Sequence, residues 1–250
     1  MTPRLLALDT ATEALAAAVL APAGRWHANE AGGKLASARL LPLLLDLVDR
    51  AGLTMPQLQA VAYGQGPGAF TGLRTACAVA QGLAFAHGTP VLAIDSLQIV
   101  AEDARQQAID RGLSDVDGLW WVAMDARMDE VYAGAYRHQA SGWQTAVTPQ
   151  LWTLAALAET WLAAPPQRVA GTALDAFADR LPWGDAERWP ACQDRAAALL
   201  RLAEVAWADG LSKPAEQAMP VYLRDKVAQT TAERLAQRAA LAALAALAAP

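Results

Sequence analysis

The residues whose types and spacing bear most directly on chemistry lie between positions 58 and 96, LQAVAYGQGPGAFTGLRTACAVAQGLAFAHGTPVLAIDS. Gly64, Gly66, Pro67, Gly68 and Gly72 make a loop that regular structure does not tolerate. An apolar run at 60–63 precedes it and reads as a buried strand. An Ala- and Leu-rich stretch from Thr71 or Gly72 to about His87 follows and reads as a helix, with Gly88 as its stop. Residues 91–94, after Pro90, read as a second strand, and the connection is long enough for a right-handed crossover. A glycine loop opening a helix offers free backbone N–H groups to an anion; the alternative is a tight turn with no ligand. Two generic phosphate motifs are excluded. Gly64-x-Gly66-x-x-Ala69 loosely fits a dinucleotide fingerprint, but the stretch about 20 positions on, where an acid belongs, is apolar at 83–85. No Lys-Ser or Lys-Thr pair follows the glycines. The three histidines, His27, His87 and His138, are isolated, none at metal-pair spacing, and are expected on the surface or in loops. Of the two cysteines, Cys77 is expected as a small core residue, and with Cys192 it reads as a reduced thiol.

Composition limits the partners. A chain of 250 residues holds one large or two modest domains. With 54% hydrophobic and 18% charged residues it folds rather than stays disordered. A net charge of −5 argues against this chain alone gripping a nucleic-acid backbone. The first residues imitate a secretory leader, yet Asp9 and Glu13 interrupt the apolar region. No run of 18 apolar residues occurs, so no membrane span is expected and the expected location is the cytoplasm.

The positioning elements come next. Residues 5–8 form a strand ending on Asp9, and 14–20 return as its hairpin partner despite the alanines. Residues 26–30 are expected as an edge strand. Residues 35–51 have helical period, but Leu40, Leu41, Leu43, Leu44, Leu45, Leu47 and Val48 make a stripe wider than one contact face. A helix shared with a partner is favoured over one wholly inside the core; Pro42 belongs near its start or kinks it. A similar hairpin signature, an apolar strand ending in Asp, a polar turn, a Glu and an alternating strand, recurs at 122–136 around Asp125 and Glu130. It suggests duplicated halves, with a chance match as the alternative. Helices are expected at 97–111, 154–162, 175–181 and 194–209, and a strand at 168–171. The tryptophans of the second half are expected to pack rather than to stack on a ligand.

The segments LALDTATEALAAAV, RLLPLLLDLV, GQGPGAFTGLRTACAVAQGLA, PVLAIDSLQ, VAMDARMDEVYAGAY and AMPVYLRD, over residues 4–226, resemble the TsaB (YeaZ) family of bacterial tRNA threonylcarbamoyladenosine biosynthesis proteins. The resemblance implies an α/β actin-like ATPase (ASKHA) fold of two ribonuclease-H-like domains. The first is expected at 1–103 and the second at 104–213. A segment at 214–230 returns to the first; the Ala/Leu-rich tail at 231–250 lies outside the resemblance, and its composition reads as a helix docked on this chain or on a partner. The resemblance also implies a non-catalytic partner of a metal-bearing, TsaD-like threonylcarbamoyltransferase, acting with a small TsaE-like ATPase and meeting tRNA through the complex. The expected interface is Leu40, Leu41, Leu44, Leu47, Leu73, Arg74, Ala78 and Gly82, with Ala76 and Ala80 also permitting close approach. The same helices are expected to pair in a homodimer when the partner is absent. The positions matching the paralogue's His-x-x-x-His are Ser96 and Val100, so no metal is expected. Asp9, Gly66, Gly68 and Asp125 fall where actin-like ATPases handle magnesium and phosphate, and are expected to be a vestigial site or turn caps. No cofactor is expected, with weak or interface-bound ATP or ADP as the alternative. The rival readings are an independent ATPase or kinase and a metallopeptidase.

Overall fold

The computed structural model describes residues 2–32 and 36–224. The first sheet contains β1 (Leu5–Asp9), β2 (Ala14–Ala21), β3 (Gly24–Ala31), β4 (Ala60–Gly66) and β5 (Val91–Asp95), in the order β3-β2-β1-β4-β5. β1 is buried on both faces, which explains its unbroken apolar run. Leu6 and Leu8 face a core shared with α1 (Ala36–Arg50) and α2 (Phe70–His87), while Leu5 and Ala7 face α6 (Arg195–Ala208). The alanines of β2 suit this sandwich: Ala16 and Ala18 let α6 lie close against the strand.

The second sheet contains β6 (Gly118–Asp125), β7 (Glu130–Gln139), β8 (Gly142–Thr153), β9 (Arg168–Ala170) and β10 (Glu187–Trp189), in the order β10-β9-β6-β7-β8. Read from β8 inward, this repeats the first sheet: an antiparallel three-strand meander, then two parallel strands. The hairpins ending at Asp9 and Asp125 are topological equivalents, as their sequence repeat suggested. α4 (Leu154–Ala163) and α5 (Ala173–Ala176) cover one face, with Trp121 and Trp161 edge to face at 5.6 Å. α3 (Ser96–Asp110) covers the other, packing Val100 and Ala104 on Trp120 and Val122.

The expected division at 103/104 needs correction. It cuts α3, whose apolar stripe serves the second sheet. α6, expected within the second domain, instead covers the first sheet through Leu199, Leu202 and Ala203. Each sheet thus borrows the helix that follows the other's last strand, and α3 packs on α6 at the join. Two strands lack a sequence signal. β8 is a half-exposed edge carrying Pro149, and β10 buries only Trp189, so neither alternates cleanly. The short helix expected at 175–181 lies at Ala173–Ala176.

After α6 the chain returns to the first sheet. Lys213 bridges Val91, Met219 N–H donates to the Tyr63 hydroxyl at 2.9 Å, and Val221 N–H donates to the Gln65 carbonyl at 2.7 Å. Residues 225–230 of the returning segment and the whole 231–250 tail lie outside the described residues.

Candidate functional site: the inter-lobe cleft and the outer helical face

A cleft of about 800 Å³ opens between the lobes, lined among others by Thr12, Phe70, Asp125, Tyr132, Thr172 and Tyr222. Asp9 lies beneath this cleft and is wholly buried. Its Oδ1 accepts from Ala11 N–H at 2.8 Å and from Arg195 Nε at 3.0 Å, and its Oδ2 accepts from Ser96 Oγ at 3.0 Å. Ser96 Oγ in turn accepts from Gly66 N–H at 3.1 Å, and Arg195 Nη2 donates to the Ser96 carbonyl at 3.2 Å. The carboxylate is therefore engaged by an internal guanidinium, the Ser96 hydroxyl and a turn amide. Of the two expectations for Asp9, vestigial phosphate-site residue or turn cap, the bond to Ala11 N–H is that of a turn cap.

The glycine loop is also turned inward. Gly66 gives its N–H to Ser96, Ala69 N–H donates to the Ala11 carbonyl at 2.7 Å, and Gly68 packs on Ala11. Gly64 is required by close approach, since a Cβ there would stand 1.6 Å from Asp9 Oδ2. Gly68 thus seats the β1–β2 turn against the start of α2, while Gly66 is tied to Ser96 and lies against Leu73 and Val221. Asp125 does line the cleft, but as a turn cap: its Oδ1 accepts from Arg127 N–H at 2.7 Å and its Oδ2 meets Arg127 Nη1 at 3.2 Å. The same i to i+2 carboxylate–amide bond closes both hairpins, the turn-capping alternative of the sequence.

A strap from the returning segment spans the cleft mouth. The Tyr222 ring lies 5.0 Å from Phe70. Arg74 stacks 3.9 Å over Phe70 and donates from Nε to the Tyr222 hydroxyl at 3.0 Å. Arg224 Nη1 pairs with Glu130 at 2.8 Å and its Nη2 donates to the Ala126 carbonyl at 2.9 Å, reaching the second lobe. Deeper in, Tyr136 donates to Asp95 Oδ2 at 2.7 Å while Asp95 Oδ1 caps α3 through Leu97 N–H at 2.8 Å. Burial raises the Asp95 carboxyl above its usual range, against the lowering effect of the Tyr136 bond. Burial, then the Asp95 charge, drives the Tyr136 phenol upward.

The outer helical face departs from the expected interface. Leu40, Leu44, Leu47 and Leu73 are core residues, at most 1% exposed. α1 carries two apolar stripes: Leu40, Leu44, Leu47 and Val48 face the sheet, while Leu41 and Leu45 remain 42% and 48% exposed. On α2, Ala76 and Ala80 face the sheet, whereas Arg74, Ala78, Gly82 and Phe85 share the outer stripe. Arg74, expected to contact a partner, is engaged by Phe70 and Tyr222 of its own chain. Phe85, 75% exposed, was missed as an interface candidate; its signal was its position three residues beyond Gly82 on the Ala78 stripe.

Metal chemistry finds no ligand set: among the described residues no three His, Cys, Asp or Glu side chains cluster to hold an ion. Ser96 is bonded to Asp9, and Val100 is core. His27 pairs with Asp194 at 3.0 Å, and His138 with Asp117 at 2.6 Å. His87 is exposed, and both cysteines are free, Cys77 buried and Cys192 exposed.

Two ribonuclease-H-like lobes related by internal duplication around a central cleft define a protein of the actin-like ATPase class. Residues 30–232 match the family described as TsaD, tRNA N6-adenosine threonylcarbamoyltransferase. The chain is 33% identical over 241 residues to the Escherichia coli tRNA threonylcarbamoyladenosine biosynthesis protein TsaB, covering 90% of this chain and 96% of that one. The Haemophilus influenzae TsaB is 40% identical over 128 residues, about half the length of each chain at 51%. The solved structure of YeaZ from Pseudomonas aeruginosa, 40% identical, superposes with a TM-score of 0.77 over 88% of this chain and 100% of that one. A second Pseudomonas aeruginosa structure, of a protein described as similar to peptidase YEAZ, gives 0.79 at 40% identity, over 89% and 100%. The chain belongs to the TsaB (YeaZ) family.

Proposed function

We propose that this chain is a non-catalytic, activating subunit in the formation of tRNA threonylcarbamoyladenosine. It binds and supports a metal-bearing, TsaD-like paralogue that transfers threonylcarbamoyl to the adenosine next to the anticodon. The observation that carries this reading is the outer apolar stripe of α1 and α2, with Leu41, Leu45 and Phe85 exposed around small Ala78 and Gly82. Exposed apolar surface of this kind marks an interaction site, and small residues at its centre let another backbone come close. The inward-turned glycine loop and the neutralised Asp9 support a role without chemistry of its own. A small TsaE-like ATPase completes the system, tRNA is met through the complex, and nucleotide is held weakly or at a subunit interface. The complex works in the cytoplasm. In the partner's absence the same stripe pairs two copies of this chain.

The test is reconstituted tRNA modification with the paralogue, the small ATPase, ATP and the threonylcarbamoyl donor. Omission of this chain should collapse product formation. Leu41→Glu with Phe85→Glu should abolish both pairing and modification while the far-ultraviolet spectrum and melting curve stay unchanged. Asp125→Asn should keep full activity. Loss of modification in Asp125→Asn with pairing intact would give the carboxylate a chemical role and end the non-catalytic reading.

A further inference from the structure

We propose that residues 231–249 of this chain dock on the outer face of α1 and α2 and compete there with the partner subunit, so that the tail sets how readily the chain pairs. The proposal rests on the reading of that face as the partner surface.

Three observations converge on this occupant. The first is the sequence of the tail. Thr230 and Glu233 have capping-box spacing, and Leu235, Leu241, Leu244 and Leu247 follow among alanines. Beyond Arg238 there is no charge up to Ala249. Over 239–249 a helix of that composition is apolar all round and has to be covered.

The second is where the described chain stops. Tyr222 sits on Phe70 with Arg74 on its hydroxyl, so the strap passes beside the first turn of α2 two residues before Arg224, whose side chain meets Glu130 of the second lobe. The exposed stripe of α2 starts at that turn and runs to Phe85, about 22 Å at 1.5 Å per residue. Residues 225–230 reach about 20 Å when extended, and a helix over 231–249 is about 28 Å long. A helix of that length covers the whole stripe, and the linker, shorter than the stripe, sets its start near the Phe70 end.

The third is complementarity. The stripe presents Leu41, Leu45 and Phe85 around a floor of Ala78 and Gly82. Leucines set among alanines can fill that floor without clashing. The exposed carboxylates of Asp46 and Asp49 on α1 suit Arg234 and Arg238 of the tail.

Hydrogen exchange on the full chain, with Leu241→Glu/Leu244→Glu in the full chain and a chain ended after Lys226, tests this. Peptides from the outer turns of α1 and α2 should exchange faster in both variants, independent of protein concentration. Partner affinity should rise about tenfold if the tail occupies the face nine-tenths of the time. Equal exchange in all three proteins overturns the proposal, as does protection that grows with concentration, which would make a second copy the occupant. If exchange responds but neither variant binds the partner, tail docking stands and the partner reading fails. If the partner binds all three alike and exchange is unchanged, the partner reading stands and the tail proposal fails.

Discussion

Arg195 Nε lies 3.0 Å from Asp9 Oδ1, both groups are buried, and 186 residues separate them in the chain. The pair joins α6 to the end of β1 beneath the cleft. A permanent internal cation stands against the first-lobe carboxylate, and the cleft is left without it.

Removing one member of such a pair strands a buried charge. Arg195→Met is expected to cost about 3–5 kcal/mol. Asp9→Asn should cost a comparable amount, because the guanidinium is then uncompensated. The double variant should lose much less than the sum. Urea unfolding of the four proteins gives the coupling energy directly, and additive losses would mean that the pair is not a unit.

Two glycines of α2 should respond oppositely to alanine. At Gly72 a Cβ would stand 1.8 Å from the Thr10 carbonyl oxygen, a backbone atom that cannot swing aside, so Gly72→Ala is expected to cost roughly 3 kcal/mol or more. At Gly82 nothing lies within 4 Å, and Gly82→Ala should stabilise the isolated chain by about 0.5–1 kcal/mol. The same Gly82→Ala should weaken pairing with the paralogue if a partner backbone approaches there. Thermal melts and a pairing titration check both parts.

The burial of Asp95 makes stability depend on pH. Asp95 holds its proton more tightly folded than unfolded. Its contribution is therefore fully present below the ordinary carboxylate pKa and is lost as pH rises through the raised folded value. Asp95→Asn keeps an acceptor for the Leu97 N–H but cannot titrate. The difference in urea midpoint between the native chain and Asp95→Asn should change across this window and flatten above it. Tyr136→Phe removes the bond that opposes the shift, so it should widen the window upward and cost about 1–3 kcal/mol near neutrality.

Arg224 holds the strap to the second lobe through Glu130 and the Ala126 carbonyl. Arg224→Ala should destabilise by about 1–3 kcal/mol and speed hydrogen exchange in the 126–130 turn. Unchanged exchange there would show that the strap does not secure that turn.

Much of this molecule was legible in the sequence because its signals are local. The β1–β2 hairpin, the glycine loop with α2, the stop at Gly88, which takes a left-handed φ of 64°, and the repeated hairpin at Asp125 all follow from patterns within a few residues. The segments that resemble the TsaB (YeaZ) family are likewise continuous stretches. What only the tertiary structure decided depends on partners far along the chain. Periodicity showed that α1 is apolar on two sides but not which stripe meets the sheet, so Leu44 and Leu47 read as surface and proved to be core. Strand-end position marked Asp9 as a candidate, but its neutralisation by Arg195 depends on α6 crossing back to the first sheet. That crossing is set by the exchange of α3 and α6 between the lobes, because an apolar helix face specifies that it must be buried and leaves the choice of sheet to the global packing.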